Sequence, residues 1–324
     1  MESPVKPQKL ENRPLKLGAL KYLLSGVLFK SGVFAIFSPL PLVWYRLQSK
    51  DFLSYLIVLF SNTFTLVFLE ALVLFFPSGP KSNDLIWSSL TISAVSYLTI
   101  VAPVSLGMAR FIRAKLPLSH VLIKTFLLVL VSVVLIWVSV AAMRGQSPIE
   151  FYTSTLDHFS TQVWEIAKNS GEPKITEEEL RSSLLLETPS SIAIFIIVSI
   201  WANLILLFRI NPNQVKEKLG IGDDFYKTFR MPELLVWPTI GAGAGVLLLH
   251  GIGYGVSINL LKVLLAGYAI HGIGILAALL DQWKLFGIIR LLLFVTLVLF
   301  ALPLVIGVGF FDLWFDFRNK FRQT

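Results

Sequence analysis

Long apolar blocks, separated by short polar stretches, make up most of the chain from residue 17 onward. A helix needs about 20 apolar residues to cross roughly 30 Å of hydrocarbon. The blocks do not alternate in polarity as the strands of a membrane β-barrel do, and a helix satisfies its backbone hydrogen bonds internally. The pattern predicts an all-α fold, a polytopic transmembrane helix bundle. Its hydrophobic segments number about eight, at 17–45, 52–76, 85–108, 119–143, 189–209, 233–252, 256–281 and 285–311.

The first block contains residues that disfavour a continuous span. Lys30 lies near its middle, and Pro39 and Pro41 lie near its end. A lysine at mid-bilayer costs about 2.5–3.5 kcal/mol on insertion scales, and proline removes a backbone donor and clashes with the preceding turn. We therefore predict a broken first segment, formed by two short helices or a re-entrant hairpin over Leu17–Phe29 and Val33–Tyr45.

The lysines and arginines predict the orientation of the chain, because cytoplasmic loops collect them. If the first block returns to the side that it left, one side of the membrane receives the basic tail over residues 1–16 and three basic clusters. These are Arg46 and Lys50; Arg110, Arg113 and Lys115; and Arg209, Lys216, Lys218, Lys227 and Arg230. We expect a multi-pass protein of the cell's inner (plasma) membrane with a cytoplasmic N-terminus. The C-terminus reaches the same side if the last block breaks near Pro303.

Residues 144–187 form a long hydrophilic insertion, and its excess of acidic residues suits the extracytoplasmic side. Apolar residues from Ile149 to Ile166 recur at spacings of three and four, which predicts an amphipathic helix. That helix either lies on the headgroups or forms a lid over a cavity. Apart from this insertion, residues 17–324 are predicted to form a single transmembrane helical domain.

The insertion also contains signals for a helix end and a new helix start. Gly171 and Pro173 are expected to end the amphipathic helix. Thr176 with Glu179 resembles a capping box, which predicts a second short helix from this point.

Composition and motifs exclude several kinds of chemistry. Charged residues make up 15% of the chain, against roughly 25% in soluble domains. There is no cysteine, and the sequence contains no P-loop, no H-E-x-x-H zinc helix and no G-x-S-x-G elbow. We expect no enzyme activity, cofactor or metal site. The net charge of +8 is attributed to cytoplasmic loops and anionic lipid headgroups, with no nucleic-acid partner.

Four polar residues inside apolar blocks are candidates for ligand binding: Glu70, Asn203, Asn259 and His271. Ionisable groups at membrane depth usually face a cavity or a partner. Alternatively, Glu70 is hydrated near the outer interface, and the other three hydrogen-bond neighbouring helices. Asn259 and His271 are expected to face the protein interior, because an unpaired polar group in hydrocarbon costs several kcal/mol.

Glycines crowd between Gly241 and Gly274, and pairs four apart, such as Gly241 and Gly245, favour close helix packing. The final stretch, FFDLWFDFRNKFR, mixes aromatic and charged residues, which predicts an interfacial anchor.

The ending G-x-G-F-F-D-x-W-x-D-F-R resembles the close of the uncharacterised YybS-like family of bacterial membrane proteins. The stretch containing Asn259, Tyr268, His271 and Gly272 is similar to that family's pattern before the final span, and Pro232 also fits. The resemblance implies a layout similar to the substrate-binding membrane subunits of energy-coupling-factor transporters. The same layout is more distantly similar to that of a cell-shape membrane protein.

Two function classes follow. The first is a non-enzymatic, transporter-like subunit that binds a small polar or amphiphilic ligand between helices and works with a separate energising protein partner. The alternative is a membrane scaffold in cell-envelope or division assembly, with no ligand. An intramembrane enzyme is a weaker third hypothesis.

Overall fold

The computed structural model describes residues 22–49, 51–75, 83–171, 175–210, 229–283 and 287–317, so the predicted basic tail lies outside the described residues. No described residue lies in a β-strand, which confirms the all-α class. The α-helices are α1 Leu24–Lys30, α2 Pro39–Gln48, α3 Phe52–Phe75, α4 Asn83–Arg113, α5 Leu118–Met143, α6 Pro148–Ser170, α7 Glu177–Ile210, α8 Val236–Leu248, α9 Ile252–Gln282, α10 Gly287–Phe300 and α11 Leu302–Phe315. Two 3-10 helices lie at Val33–Phe37 and Glu233–Leu235.

Within the described ranges, five helices are long and apolar enough to cross a membrane: α3, α4, α5, α7 and α9. Helices α10 and α11 make a sixth span if they count as one, although the chain bends by 90° between them. The predicted count of about eight segments is not confirmed. The block at 233–252 yields only the 13 residues of α8, which are about 20 Å long against roughly 30 Å of hydrocarbon.

The bend between α10 and α11 confirms the break predicted near Pro303. Ala301 separates the two helices, and Pro303 lies in the first turn of α11. Proline is favoured there because its missing N–H has no partner inside the helix at that position.

Packing divides the chain into two compact units, Met1–Tyr97 and Leu98–Thr324. The single transmembrane domain over 17–324 stays a prediction.

In the first unit, the break predicted at Lys30 is confirmed. Helix α1 ends at Lys30, Gly32 adopts a φ of 69°, and the first 3-10 helix leads into α2. The Tyr22 hydroxyl donates to Gln48 Oε1 at 2.7 Å and joins the start of α1 to the end of α2. Both ends of the segment therefore lie together, as in a re-entrant hairpin.

Asn62 on α3 fixes the base of this hairpin. Its Oδ1 accepts a hydrogen bond from the Gly26 N–H at 3.0 Å, and its Nδ2 donates to the Tyr22 carbonyl at 2.9 Å. A Cβ at Gly26 would lie 2.6 Å from the Asn62 carbonyl oxygen, so glycine permits the close contact between α1 and α3.

In the second unit, α7 is much longer than predicted. The Thr176–Glu179 capping box is present, with the Glu179 N–H donating to Thr176 Oγ1 at 3.2 Å. However, the predicted second short helix is wrong, because α7 continues through Pro189 for 34 residues. At 1.5 Å per residue, this is about 51 Å, well beyond the thickness of the hydrocarbon.

Helix α6 confirms the amphipathic helix predicted in the insertion, and it packs along the first part of α7. Arg181 on α7 donates to both carboxylate oxygens of Asp157 on α6, at 2.6 and 3.1 Å. These bonds from the Arg181 guanidinium lower the pKa of Asp157 below its usual value. The Tyr152 hydroxyl donates to the Leu185 carbonyl at 2.8 Å, so α6 is fixed against α7 by side chains at two levels.

Helices α7 and α9 run parallel, and their contacts show which residues lie at the same level along the two helices. The Ser190 N–H on α7 donates to Asn259 on α9. Later in both helices, Trp201 on α7 and His271 on α9 both lie against the ring of Phe229. The apolar part of α7 begins near Pro189, so Trp201 lies about 18 Å further along the axis. Phe229 and His271 therefore lie beside the apolar part of α7, between its beginning near Pro189 and Arg209 in its last turn.

Candidate functional site

A buried pair of ionisable side chains joins α9 to α11. His271 Nε2 lies 3.1 Å from Asp312 Oδ2, and the two residues are 0% and 2% exposed. His271 therefore faces the interior, as predicted. Asp312 belongs to the final stretch that is predicted to be an interfacial anchor, and its side chain is buried against α9. Charged groups this deep in a bundle are expensive unless they are paired.

The two helices that carry the pair approach each other at glycines. A Cβ at Gly272 would collide with the Val305 carbonyl, and a Cβ at Gly309 would collide with the Tyr268 carbonyl. Without side chains at these two positions the backbones come close enough for His271 to reach Asp312.

Asp312 also holds the end of α11. Its Oδ1 accepts the Phe317 N–H at 2.8 Å, and Asp316 between them adopts the left-handed conformation, with a φ of 43°. The carboxylate therefore bonds His271 with one oxygen and the helix terminus with the other.

Non-helical backbone lies beside this pair. Phe229 and Met231 are 2% and 5% exposed, and the Met231 side chain occupies the space that a Cβ at Gly267 would need. Between them, Arg230 points away and donates to Asp316 Oδ1 at 2.7 Å. Non-helical backbone at membrane depth requires cover by protein or a water-filled cavity.

The Arg230–Asp316 pair differs from the His271–Asp312 pair in exposure. The side chains of Arg230 and Asp316 are 50% and 40% exposed. Exposed charges need water or lipid headgroups around them. The exposed pair and the buried pair are neighbours in the chain, because Asp316 follows Asp312 by one helical turn.

Tyr268 adds a further polar group one turn from His271. Its side chain is fully buried, and its ring packs edge-on against the ring of Phe310, with 5.1 Å between the ring centroids. Its buried hydroxyl lies beside the Thr239 side chain of α8. A buried hydroxyl usually has a hydrogen-bond partner, and Thr239 is in position to be that partner.

Asn259 is predicted as a ligand residue, but its bonds go to backbone groups. Its Oδ1 accepts the Ser190 N–H at 2.8 Å, and its Nδ2 donates to the Leu186 carbonyl at 2.9 Å and to the Gly255 carbonyl at 2.8 Å. A regular helix would join Ser190 N–H to the Leu186 carbonyl directly. The half-buried Asn259 amide instead bonds both groups and connects α9 to α7.

Pro189 explains why α7 needs this support. Proline has no N–H, so the Leu185 carbonyl one turn earlier loses its usual donor. The Tyr152 hydroxyl supplies that donor, and Asn259 bonds the groups of the adjoining step. Two side chains from other helices therefore allow α7 to continue through the proline.

Asn203 is fully buried on α7. Its Nδ2 donates to the Ser199 carbonyl at 2.7 Å, one turn earlier on the same helix.

Glu70 belongs to the first unit, on α3. Its carboxylate forms an ion pair with the Lys30 ammonium. It also accepts hydrogen bonds from Ser89 at 2.8 Å and Ser93 at 3.3 Å. The side chain is 7% exposed, which favours the partnered alternative over the hydrated one.

The four predicted residues do not form one site. Glu70 lies in a different unit from the other three. Asn259 and His271 share α9 but are about 18 Å apart along it, too far to touch the same small ligand. A groove of about 540 Å³ on the first unit is lined by none of the four; its residues are Leu23, Ile57, Phe60, Ser61, Phe64 and Thr65.

Sequence reasoning missed Asp312 as the partner of His271. The available signal was the rule that selected Glu70, a carboxylate within a largely apolar stretch. The aromatic residues on both sides of Asp312 pointed to an interface instead.

Comparison with known proteins gives one family. No curated protein and no solved structure matches the chain. The profile of a family described as predicted membrane protein (DUF2232) matches residues 85–313, which include the His271–Asp312 pair and exclude Lys30 and Glu70. Because the match covers well over half of the chain, and the helices have the length and apolarity of membrane spans, this protein belongs to the DUF2232 family of multi-pass membrane proteins.

Proposed function

We propose that the protein is a non-enzymatic, transporter-like subunit that binds a small polar or amphiphilic ligand between its helices. It acts in the inner (plasma) membrane, with its N-terminus in the cytoplasm and the lipid bilayer as its surroundings. A separate protein supplies the energy, as in the energy-coupling-factor transporters whose membrane subunits the YybS-like layout resembles. The proposal involves no nucleic acid.

The observation that carries this proposal is the buried His271–Asp312 pair beside interrupted helices. Transporters commonly build their sites near the bilayer midplane from discontinuous helices, whose ends and unwound backbone face the ligand. Here α8 begins, and α11 ends, beside the pair, and neither helix is long enough to span the hydrocarbon alone.

The chemistry of the pair suits a small polar ligand. Imidazole donates or accepts a hydrogen bond, and a carboxylate accepts several. The Tyr268 hydroxyl adds a third polar group, and we expect a ligand to enter on the side of the exposed Arg230–Asp316 pair. A ligand with both donors and acceptors would take over bonds that the two side chains now make to each other.

The test is native mass spectrometry of protein released from its own membranes in gentle detergent. We expect one small molecule bound to the wild type, and its loss in Asp312→Asn and His271→Gln. Lys262→Gln, which removes a half-exposed pair with Glu187 elsewhere on α9, should retain it. Removing one member of a buried pair is expected to cost about 3–5 kcal/mol of unfolding free energy, so ligand loss is scored only in variant protein whose helix content matches that of the wild type. A wild type without any bound small molecule, or variants that keep it, would contradict the proposal.

One observation favours the alternative, a scaffold in cell-envelope or division assembly. Helix α6 exposes the large apolar side chains of Ile149, Phe159 and Ile166, which are 76%, 49% and 67% exposed. Exposed apolar patches commonly mark contact surfaces for other proteins. In that case Ile149→Ser with Ile166→Ser would abolish co-purification of an envelope protein, while small-molecule binding would be absent throughout.

A further inference from the structure

The first unit contains a charged cluster that the proposed function does not use. Glu70 Oε2 is paired with the Lys30 ammonium and accepts a hydrogen bond from Ser93, while Oε1 accepts one from Ser89 at 2.8 Å. Ser89 and Ser93 are four residues apart on α4, so both hydroxyls lie on one face of that helix. The carboxylate that binds the Lys30 ammonium is therefore held in place by two serine hydroxyls.

We propose that Glu70, Ser89 and Ser93 form a binding site for a primary ammonium group, and that Lys30 occupies this site when no ligand is bound. An ammonium group has three N–H donors. Glu70 is the acceptor that Lys30 now uses, and each serine hydroxyl that donates to Glu70 keeps lone pairs that can accept a further N–H. A ligand ammonium would make the bonds that the Lys30 ammonium makes. The ligand class is a primary amine, either free in solution or in the headgroup of an ethanolamine lipid.

The exposure of the two charged partners supports exchange. The Glu70 side chain is 7% exposed, whereas the Lys30 side chain is 33% exposed. The acceptor is thus held in the protein, and its present donor is in contact with the surroundings. A lysine ammonium is a compact charge on a flexible stem of four carbons, so it can leave by side-chain rotation alone.

The position of Lys30 in the hairpin also permits it to move. Lys30 is the last residue of α1, and the turn with a positive φ at Gly32 follows it. The base of the hairpin is fixed by separate contacts, from Asn62 to Gly26 and from Tyr22 to Gln48. Release of Lys30 therefore leaves these anchoring contacts in place.

The site lies close to helix ends, where polar ligands have access. Glu70 is within two turns of the last residue of α3, Phe75, and Ser89 is within two turns of the first residue of α4, Asn83. Two turns of helix extend about 11 Å, so the cluster is near the headgroup level of a layer that α3 spans. Amines from water and ethanolamine headgroups from the leaflet both reach this level.

The first experiment measures thermal unfolding in phosphatidylcholine nanodiscs, with methylammonium as the probe and tetramethylammonium as the control cation without N–H donors. We expect methylammonium to raise the melting temperature of Lys30→Met in a saturable way, at concentrations at least tenfold lower than for the wild type, because Lys30 competes for the same acceptors. The doubly substituted Lys30→Met/Glu70→Gln should show no such effect. Lys262→Met, which removes the pair with Glu187, should behave as the wild type.

The second experiment distinguishes lipid from free amine and does not depend on Lys30→Met folding. Native mass spectrometry would compare phosphatidylethanolamine with phosphatidylcholine on the wild type and on Ser89→Ala/Ser93→Ala, which keeps the Lys30–Glu70 pair. Preferential retention of the ethanolamine lipid, reduced at least threefold in the serine variant, identifies a lipid site. A response to methylammonium alone identifies a free amine. Equal responses to primary and quaternary ammonium in both experiments, or binding that survives Glu70→Gln, would overturn the proposal.

Discussion

The support that Asn259 gives to α7 at Pro189 leads to a quantitative prediction. Asn259→Ala removes two bonds between helices, and such bonds in membrane proteins are worth about 0.6 kcal/mol each on average. It also leaves the Ser190 N–H, on a residue that is 1% exposed, without the acceptor that Asn259 provides. An unsatisfied buried donor costs about 1–3 kcal/mol. We expect a total loss of about 2–4 kcal/mol of unfolding free energy.

The same reasoning predicts coupling to the proline. In Pro189→Ala the Leu185 carbonyl regains a backbone donor, and α7 can close its regular hydrogen bonds without help. Asn259→Ala should then cost only the two bonds between helices, about 1 kcal/mol, so a double-mutant cycle should give an interaction energy of at least about 1 kcal/mol. This interaction energy is the part of the Asn259 contribution to stability that depends on the interruption of α7 at Pro189.

The assay is equilibrium unfolding in mixed micelles, with helix content followed by circular dichroism as SDS increases. Lys262→Met serves as a neighbouring control on α9; it removes a half-exposed ion pair and should change stability by less than about 1 kcal/mol. Asn259→Ala within 0.5 kcal/mol of wild type, about the spread of surface substitutions, would refute the reasoning. Equal losses with and without Pro189 would refute the coupling.

Three further results are expected. Gly272→Ala should lower the unfolding free energy by about 1–3 kcal/mol or more, because the added Cβ meets a backbone carbonyl. Gly241→Ala, which has open space around it, should be neutral or stabilising by up to about 1 kcal/mol. Equal melting temperatures for the two variants would contradict this contrast. The pKa of Asp157 is lowered by its bonds from Arg181, so the contribution of this pair to stability is complete above the unfolded-state pKa and is lost as the pH falls through the folded-state pKa. The protection factors of the α6 amides, which correct exchange rates for the pH dependence of free amides, should therefore decrease as the pH falls below about 4. Unchanged protection factors, or the same decrease in Asp157→Asn, would show that the arginine pair does not hold α6. In intact cells, an impermeant maleimide should label Glu165→Cys and not Lys115→Cys, and the opposite pattern would reverse the proposed orientation.

The sequence was a good guide to the spans and a poor guide to their continuity. Apolar blocks located α3, α4, α5 and α9 to within a few residues at most ends, because lipid imposes both composition and length on a spanning helix. The continuation of α7 through Pro189 could not be predicted from the apolar blocks. It depends on Tyr152 and Asn259, and nothing local to the proline indicates that those side chains will be there.

Single residues were selected more reliably than pairs. Lys30 and Glu70 were each recognised as unusual for membrane depth, the first as a break in a helix and the second as a ligand candidate. Their pairing followed only from the hairpin, which brings together residues 40 positions apart. His271 was recognised, whereas Asp312, 41 positions away, was assigned to an interfacial anchor on the strength of its aromatic neighbours.

The bonds of the four predicted residues separate those that hold the fold from those that suit a ligand. Asn203 donates to the carbonyl and hydroxyl oxygens of Ser199 on its own helix, and Asn259 bonds backbone groups of α7 and α9. A ligand that displaced either side chain would leave these groups without that partner. His271 and Glu70 are instead bonded to ionisable side chains on other helices. Replacing a buried ion pair with apolar residues is often neutral or stabilising, so such a pair is weak evidence for a need of the fold. Removing one member of such a pair is costly, but a charged or polar ligand can satisfy the member that remains. We therefore propose exchange with a ligand at these two pairs and not at the two asparagines.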